Sequence, residues 1–208
     1  KQQKVAISTA VEPESLSKLV KFPWTKVLTG TIPIQGLLSI NGADTPDSGV
    51  TLQLVSQMED SEIMLPAPLA KEAGESRASD ITLHFDPDFQ RLEGRVGDQL
   101  VTDLRFDQSQ MTHGIVSFDR SVSVPEVGDL LVAGYLPTTD LDLWRPVVDL
   151  FIGASEPKTS VWKPLFDLEF DYLDLATFQL ENIAAQIRFD EQATNIAFTS
   201  DLADGKLV

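Results

Sequence analysis

The sequence contains no cysteine, and this absence removes several kinds of chemistry at once. Disulfide bonds, thiol nucleophiles and cysteine metal ligands are all excluded. Histidine is also scarce, since the chain has only His84 and His113. Neither histidine belongs to a metalloprotease, hydrolase or nucleotide-binding motif, and isolated histidines of this kind are mostly structural or solvated. We therefore predict no catalytic residues, no metal site and no cofactor, and we expect that the protein is not an enzyme.

Positive charge and long apolar runs are lacking as well. The 208 residues include 16 Lys and Arg against 32 Asp and Glu, which gives a net charge of −16. Binding to nucleic acid depends on clustered cations, so no nucleic-acid partner is expected. The same charge disfavours broad docking onto anionic membrane surfaces. No apolar run approaches the roughly 20 residues of a transmembrane helix. The acids are interpreted as a solubilising outer face.

What the sequence does contain is a repeated alternation of apolar and polar residues. Phe166–Tyr172 is the clearest case, with Phe, Leu, Phe and Tyr separated by acids. Alternation with a period of two predicts a β-strand that has one wet face. Five further segments follow this pattern: Val50–Ser56, Ile81–Asp86, Leu100–Asp107, Ile183–Asp190 and Thr194–Thr199.

Turn signals separate these segments. Asn41-Gly42 is a hairpin signal, and Asp86-Pro87-Asp88, Gly97-Asp98 and Ala203-Asp204-Gly205 also predict turns. Strands recur every 8–12 residues or so, which indicates about ten strands. The predicted fold is therefore mainly β, with one or two short helices.

Two segments predict those helices. Pro13–Val20 has proline at its first turn. Thr138–Phe151 is longer, and Thr139 is predicted to cap it. Asp140 and Asp142 should stabilise its N-terminus, the positive end of the helix dipole. Pro146 can kink the helix. Its apolar stripe is expected to rest on the end or the face of the sheet. The stripe comprises Leu143, Trp144, Val147, Leu150 and Phe151.

Paired acids leave two alternatives open. Two such pairs, Asp86 with Asp88 and Asp140 with Asp142, could bind Ca²⁺. The EF-hand spacing is absent, however, and turn formation and helix capping explain both pairs. A pair of distant carboxylates could also form a hydrolase site, but no residue pattern selects such a pair.

The segment Leu65-Pro66-Ala67-Pro68-Leu69-Ala70-Lys71 carries a family resemblance. It is similar to the "LPxPLxK" segment of YhdP-type proteins, a branch of the AsmA-like family. Pro23-Trp24, Gly30 and Gly36 precede it in the same order as in that family. Gly134-Tyr135-Leu136 and then Leu141–Trp144 follow it, resembling the family's "G…L-D-x-x-x-W" entry to a helix. The stretch 165–208 resembles the closing AsmA-like pattern, so the likeness covers most of the chain.

The resemblance implies a location and a function. Members of the family are long proteins of Gram-negative bacteria that are anchored in the inner membrane. Their periplasmic part is a curled antiparallel β-sheet with a continuous apolar groove, also described as a β-taco, which is implicated in moving phospholipid to the outer membrane. By this resemblance the chain is a monomeric periplasmic slice that binds phospholipid acyl chains, and parts of the full-length protein outside this sequence contact the membrane.

Elementary packing leaves the shape of the sheet open. A sheet with one apolar face needs a second layer, and few helices are predicted to supply one. Curling into a groove would meet this need, and so would a closed sandwich or barrel. The polar linker at 155–160 suggests a boundary between a first groove unit, residues 1–155 with the helix near 139–151, and the start of a second, residues 156–208.

If a groove exists, its lining should consist of the inward-facing strand residues, which act collectively. The alternative is a structural or protein-binding β-module of an envelope assembly, with a sealed core and a partner at the acidic face or at the Pro66–Pro68 loop. The predicted lining residues are Leu52, Leu54, Ile81, Leu83, Phe85, Leu104, Phe106, Phe166, Leu168, Phe170, Ile187, Phe189, Ile196 and Phe198.

Overall fold

The chain divides into two compact units. A computed structural model describes residues 2–17, 26–42, 49–86, 90–107, 110–119, 124, 128–153, 163–175, 178–189, 194–201 and 204–207. The first unit comprises Lys1–Leu65 and Leu69–Met111, and the second comprises Pro66–Pro68 and Thr112–Val208. The boundary expected near residue 155 lies outside the described residues and stays a prediction.

The fold is mainly β, open and mostly antiparallel, with two short helices, so the predicted fold class is confirmed. In the first unit the described elements are β1 (Gln2–Val11), α1 (Pro13–Ser17), β2 (Leu28–Gly30), β3 (Ile32–Asn41), β4 (Gly49–Ser56), β5 (Ser61–Ile63), β6 (Ser79–Phe85), β7 (Gln90–Val96) and β8 (Leu100–Asp107). They continue, mainly in the second unit, with β9 (Gln110–Phe118), β10 (Asp129–Asp140), α2 (Leu141–Gly153), β11 (Lys163–Leu175), β12 (Phe178–Phe189), β13 (Thr194–Thr199) and β14 (Asp204–Leu207).

The main sheet of the first unit is antiparallel throughout. Its strand order is β1-β3-β4-β6-β7-β8, so chain neighbours are mostly sheet neighbours. Gly97 forms the predicted turn between β7 and β8 with a φ of 58°, a left-handed conformation that glycine adopts without steric cost. The hairpin signalled by Asn41-Gly42 joins β3 to β4, but Asn41 pairs with Gly49, so its connection spans residues 42–48.

The second unit contains parallel strand pairs that the sequence did not predict. Its order is β9-β10-β11-β12-β13-β14, and β10 runs parallel to both β9 and β11. Parallel neighbours require a crossover, and α2 lies in the crossover from β10 to β11. Parallel strands are buried on both faces. Accordingly Leu130, Leu131 and Leu136 are all at most 9% exposed, and β10 shows no alternation in its sequence.

Two predictions about the longer helix are wrong. The cap is Asp140, whose carboxylate accepts a hydrogen bond of 2.9 Å from the Asp142 backbone N–H. Thr139 cannot cap the helix because β10 continues through it, where it pairs with Leu173. Leu143 is 60% exposed and so does not belong to a buried stripe, whereas Trp144 and Val147 are half-buried. The side chains of Leu150 and Phe151 lie outside the described residues, as do positions 18–20 of the first predicted helix.

A small second sheet closes one end of the first unit. Strands β2 and β5 pair antiparallel, Leu28 with Ile63 and Gly30 with Ser61. Around them Ile32, Met58 and Ile63 form a buried cluster, on which Leu28, Ile34, Leu65 and Val96 pack. This cluster is the apolar core of that end of the unit.

Candidate functional site

A continuous row of aliphatic side chains crosses all six strands of the first unit's main sheet. Directly opposite residues in a ladder project from the same face, so the register defines this row. We call it the central row; its members are Val5, Leu38, Leu52, Leu83, Leu92 and Leu104.

Two further rows flank the central row, and the three together are named the apolar face. One flanking row runs Ile40, Val50, Phe85, Gln90 and Phe106, and the other runs Ile7, Gly36, Leu54, Ile81, Gly94 and Thr102. All seven predicted lining residues of this unit therefore lie together on one face. Sequence reasoning missed Val5, Ile7, Leu38, Ile40, Val50 and Leu92, although alternation within β1 and β3 was a signal for four of them.

The apolar face is half-buried over most of its residues and exposed at four of them. Val5 is 51% exposed, and Phe85, Ile40 and Ile7 are 39%, 38% and 36% exposed. Leu104, at the β8 end of the central row, is only 4% exposed. Covering what remains exposed of each of these four side chains would contribute about 0.5–1.5 kcal/mol, so a face with this exposure among the described residues favours an apolar ligand or partner.

The apolar face ends at the buried cluster around Met58. Ile34 and Val96 continue the alternation of β3 and β7 on the same side as the central row, and both pack on that cluster. The cluster around Met58 therefore marks the limit of the apolar face at this end of the strands.

The loop between β5 and β6 is fixed by a buried lysine. The Lys71 side chain is 1% exposed, and its Nζ donates to the carbonyl oxygens of Ser61 at 2.6 Å and Glu72 at 3.0 Å. Arg77 donates to the carbonyl oxygens of Leu69 and Ala70, at 2.9 and 2.6 Å. These bonds satisfy loop carbonyls that burial would otherwise leave unpaired.

Replacing Lys71 by methionine should lower the free energy of unfolding by about 2–3 kcal/mol, since two charge-assisted hydrogen bonds are lost. Burial is the main cause that lowers the pKa of Lys71 below 10.5, and nearby Glu75 opposes it. At pH values between the lowered pKa and 10.5, Lys71 binds more protons in the unfolded chain than in the folded protein. In that interval this residue therefore makes the free energy of unfolding rise with pH. Urea unfolding at several pH values should show the difference between wild type and K71M growing through that interval. The exposed control Lys4→Met should change stability by less than about 0.5 kcal/mol.

The opposite face of the same sheet is charged. Arg91 donates to both Asp103 oxygens, at 3.0 and 2.6 Å, and lies 2.6 Å from Glu93. Glu93 is 2.9 Å from His84 Nε2, and Arg105 lies 3.3 Å from Asp103. The hydrogen bond to Asp103 is the first cause that raises the pKa of Arg91. His84 lies on this charged face, and the two faces of this sheet differ sharply in polarity.

The second unit brings most of its predicted lining residues to one face. The register aligns Val132, Phe166, Ile187 and Ile196 in one row, and Gly134, Leu168, Ala185 and Phe198 in the next. A third row, Leu136, Phe170 and Ile183, is buried, because these residues are only 3%, 8% and 4% exposed. Phe170 is therefore a core residue, while the side chain of Phe189 lies outside the described residues.

The acidic pairs form no metal site among the described residues, where no group of three or more His, Asp or Glu side chains could hold an ion. Asp140 is accounted for as a helix cap, and Asp88 lies outside the described set. Neither helix in the described part of the chain has the length and apolarity of a transmembrane span.

Comparison with known proteins decides the family. A family model described as "YhdP protein" matches residues 1–208, the whole sequence. The chain belongs to the YhdP family. No curated protein and no solved structure matches it.

Family membership confirms the predicted resemblance, and the structure explains its motif. In this YhdP-family chain the two leucines and the lysine of the Leu65–Lys71 segment are anchors. Leu65 packs on the cluster around Met58, and Leu69 and Lys71 are 5% and 1% exposed. These three residues therefore anchor the two ends of the motif within the first unit.

Proposed function

We propose that this chain is a segment of a periplasmic, bridge-like carrier of phospholipid between the inner and outer membranes, without catalytic activity. Acyl chains would lie on the apolar face of the first unit while head groups stay in water. The full-length protein would be anchored in the inner membrane through parts outside this sequence. The central row is the observation that carries the proposal, and membership of the YhdP family supports it.

The dimensions of the central row suit a lipid tail. Six strands about 4.8 Å apart give a row of roughly 24 Å. One leaflet of a bilayer holds its acyl chains within about 15 Å. A single chain can therefore lie across the strands on aliphatic side chains alone.

The energetics are collective. Each methylene removed from water contributes about 0.8 kcal/mol, whichever side chain it touches. No single residue of the face should be indispensable, and the affinity for a tail should scale with the apolar area that remains continuous.

The test uses two adjacent residues that face opposite sides of β4. A photo-crosslinking amino acid at Leu52 projects from the apolar face, and the same group at Thr51 projects from the charged face between Ser39 and His84. Cells expressing the full-length protein are irradiated, and lipid adducts are measured by mass spectrometry. Phospholipid should crosslink at position 52 and not at 51. Equal labelling at both positions, or none at 52, would refute the proposal.

A protein-binding β-module is the second candidate, and exposed leucines on α2 favour it. Leu141 and Leu143 are 46% and 60% exposed, which suits a protein contact. Crosslinkers at these two positions should then yield a defined protein adduct in cells, with no lipid adduct at Leu52.

A further inference from the structure

A shallow depression lies on the second unit, on the face opposite to Phe166 and Leu168. Its volume is about 360 Å³, within the range of about 300–1,000 Å³ of small-molecule sites. Its walls differ from end to end. Leu131 and Leu165 form the apolar end, and Arg188 and Lys206 contribute cations.

The sheet register produces this division. Leu131, Leu165 and Arg188 lie in one row across β10, β11 and β12. The neighbouring row runs across β11, β12, β13 and β14 through Asp167, Gln186, Ala197 and Lys206, in that order. Ala197 has a short side chain, which leaves room between the longer polar side chains on either side of it.

The charge of the depression runs against that of the whole chain. Acids outnumber bases 32 to 16 in the sequence, yet the depression has two cations, Arg188 and Lys206, against one acid, Asp167. Apolar surface next to a guanidinium and an ammonium matches a molecule with an alkyl chain and an anionic head.

We propose that this depression binds an anionic amphiphile. Its alkyl chain packs on the half-buried Leu165, beside the buried Leu131, and its phosphate or carboxylate is held by Arg188 and Lys206. Asp167 repels the head and limits the affinity. The site is independent of the proposed acyl-chain surface, because it belongs to the other unit and does not include the apolar face.

Calorimetric titration of the whole chain with dodecyl phosphate, below its micelle concentration, tests the site. Inorganic phosphate lacks the chain and dodecyl maltoside lacks the charge, so both should bind more weakly. Dodecanoate in place of the phosphate distinguishes the two head groups. Binding of the maltoside as tight as that of the phosphate would overturn the proposal.

Charge variants locate the binding. Arg188→Gln and Lys206→Gln should each weaken dodecyl phosphate binding by about two- to fivefold, the range of one exposed ion pair. Asp167→Asn should strengthen it by about twofold or more. Lys4→Gln, which removes an exposed cation from β1 of the first unit, is the control and should leave the affinity unchanged. Equal effects of all three cation variants, or no effect of R188Q and K206Q, would overturn the site. All these titrations are made in the Leu52→Asp background, in which the apolar face is impaired, so that the binding measured is that of the depression.

Discussion

Replacing Leu52 by aspartate should reduce the phospholipid that copurifies with the protein by about tenfold or more. Leu52 lies in the middle of the central row, between Leu38 and Leu83. A carboxylate there would have to lose water beneath a bound tail, and burial of an unpaired charge costs more than the roughly 1.4 kcal/mol that corresponds to a tenfold change. Native mass spectrometry of the purified chain measures the bound fraction.

The matched control is Thr51→Asp, one residue away on the charged face. Its carboxylate would lie beside His84, next to the charge network of that face, and should leave lipid content unchanged. Circular dichroism and thermal unfolding of both variants separate lost binding from lost folding. If L52D keeps its lipid, or if T51D loses as much, the apolar face does not carry the acyl chains.

Gly134→Ala should destabilise the protein by about 2–5 kcal/mol, because it combines backbone strain with overpacking. Gly134 has a φ of 150°, and a Cβ placed there would overlap the carbonyl oxygen of Phe118 and lie 2.7 Å from its backbone nitrogen. Strand β10 is held between β9 and β11, so it cannot move away from this overlap. Urea unfolding followed by circular dichroism measures the change.

Gly74→Ala is the control that isolates strain. Gly74 also has a positive φ, 89°, but a Cβ there would meet no atom within 4 Å. Its alanine variant should therefore lose only about 1–2 kcal/mol. Equal losses at the two glycines would show that contact with Phe118 contributes nothing.

Some strands were predictable because each has one wet face. Leu100–Asp107 and Thr194–Thr199 match β8 and β13 as predicted, and Val50–Ser56 lies within β4. Strand β10 was not predictable in this way, since its burial on both faces removes the alternation. The helix cap was predicted at Thr139 and lies at Asp140, for a related reason. Both residues suit a cap, and only the length of β10 decides which of them lies at the boundary.

The sequence by itself determined the family, the strand-rich fold and the residues of β4, β6 and β8 that share one face, because alternation and a seven-residue motif are local properties. Only the tertiary structure decided that these residues join Val5, Leu38 and Leu92 in one row, that Phe170 is a core residue and that Lys71 is buried. Each of these depends on pairing between segments distant in the chain. The register of that pairing is set by packing of the whole sheet and not by any one segment.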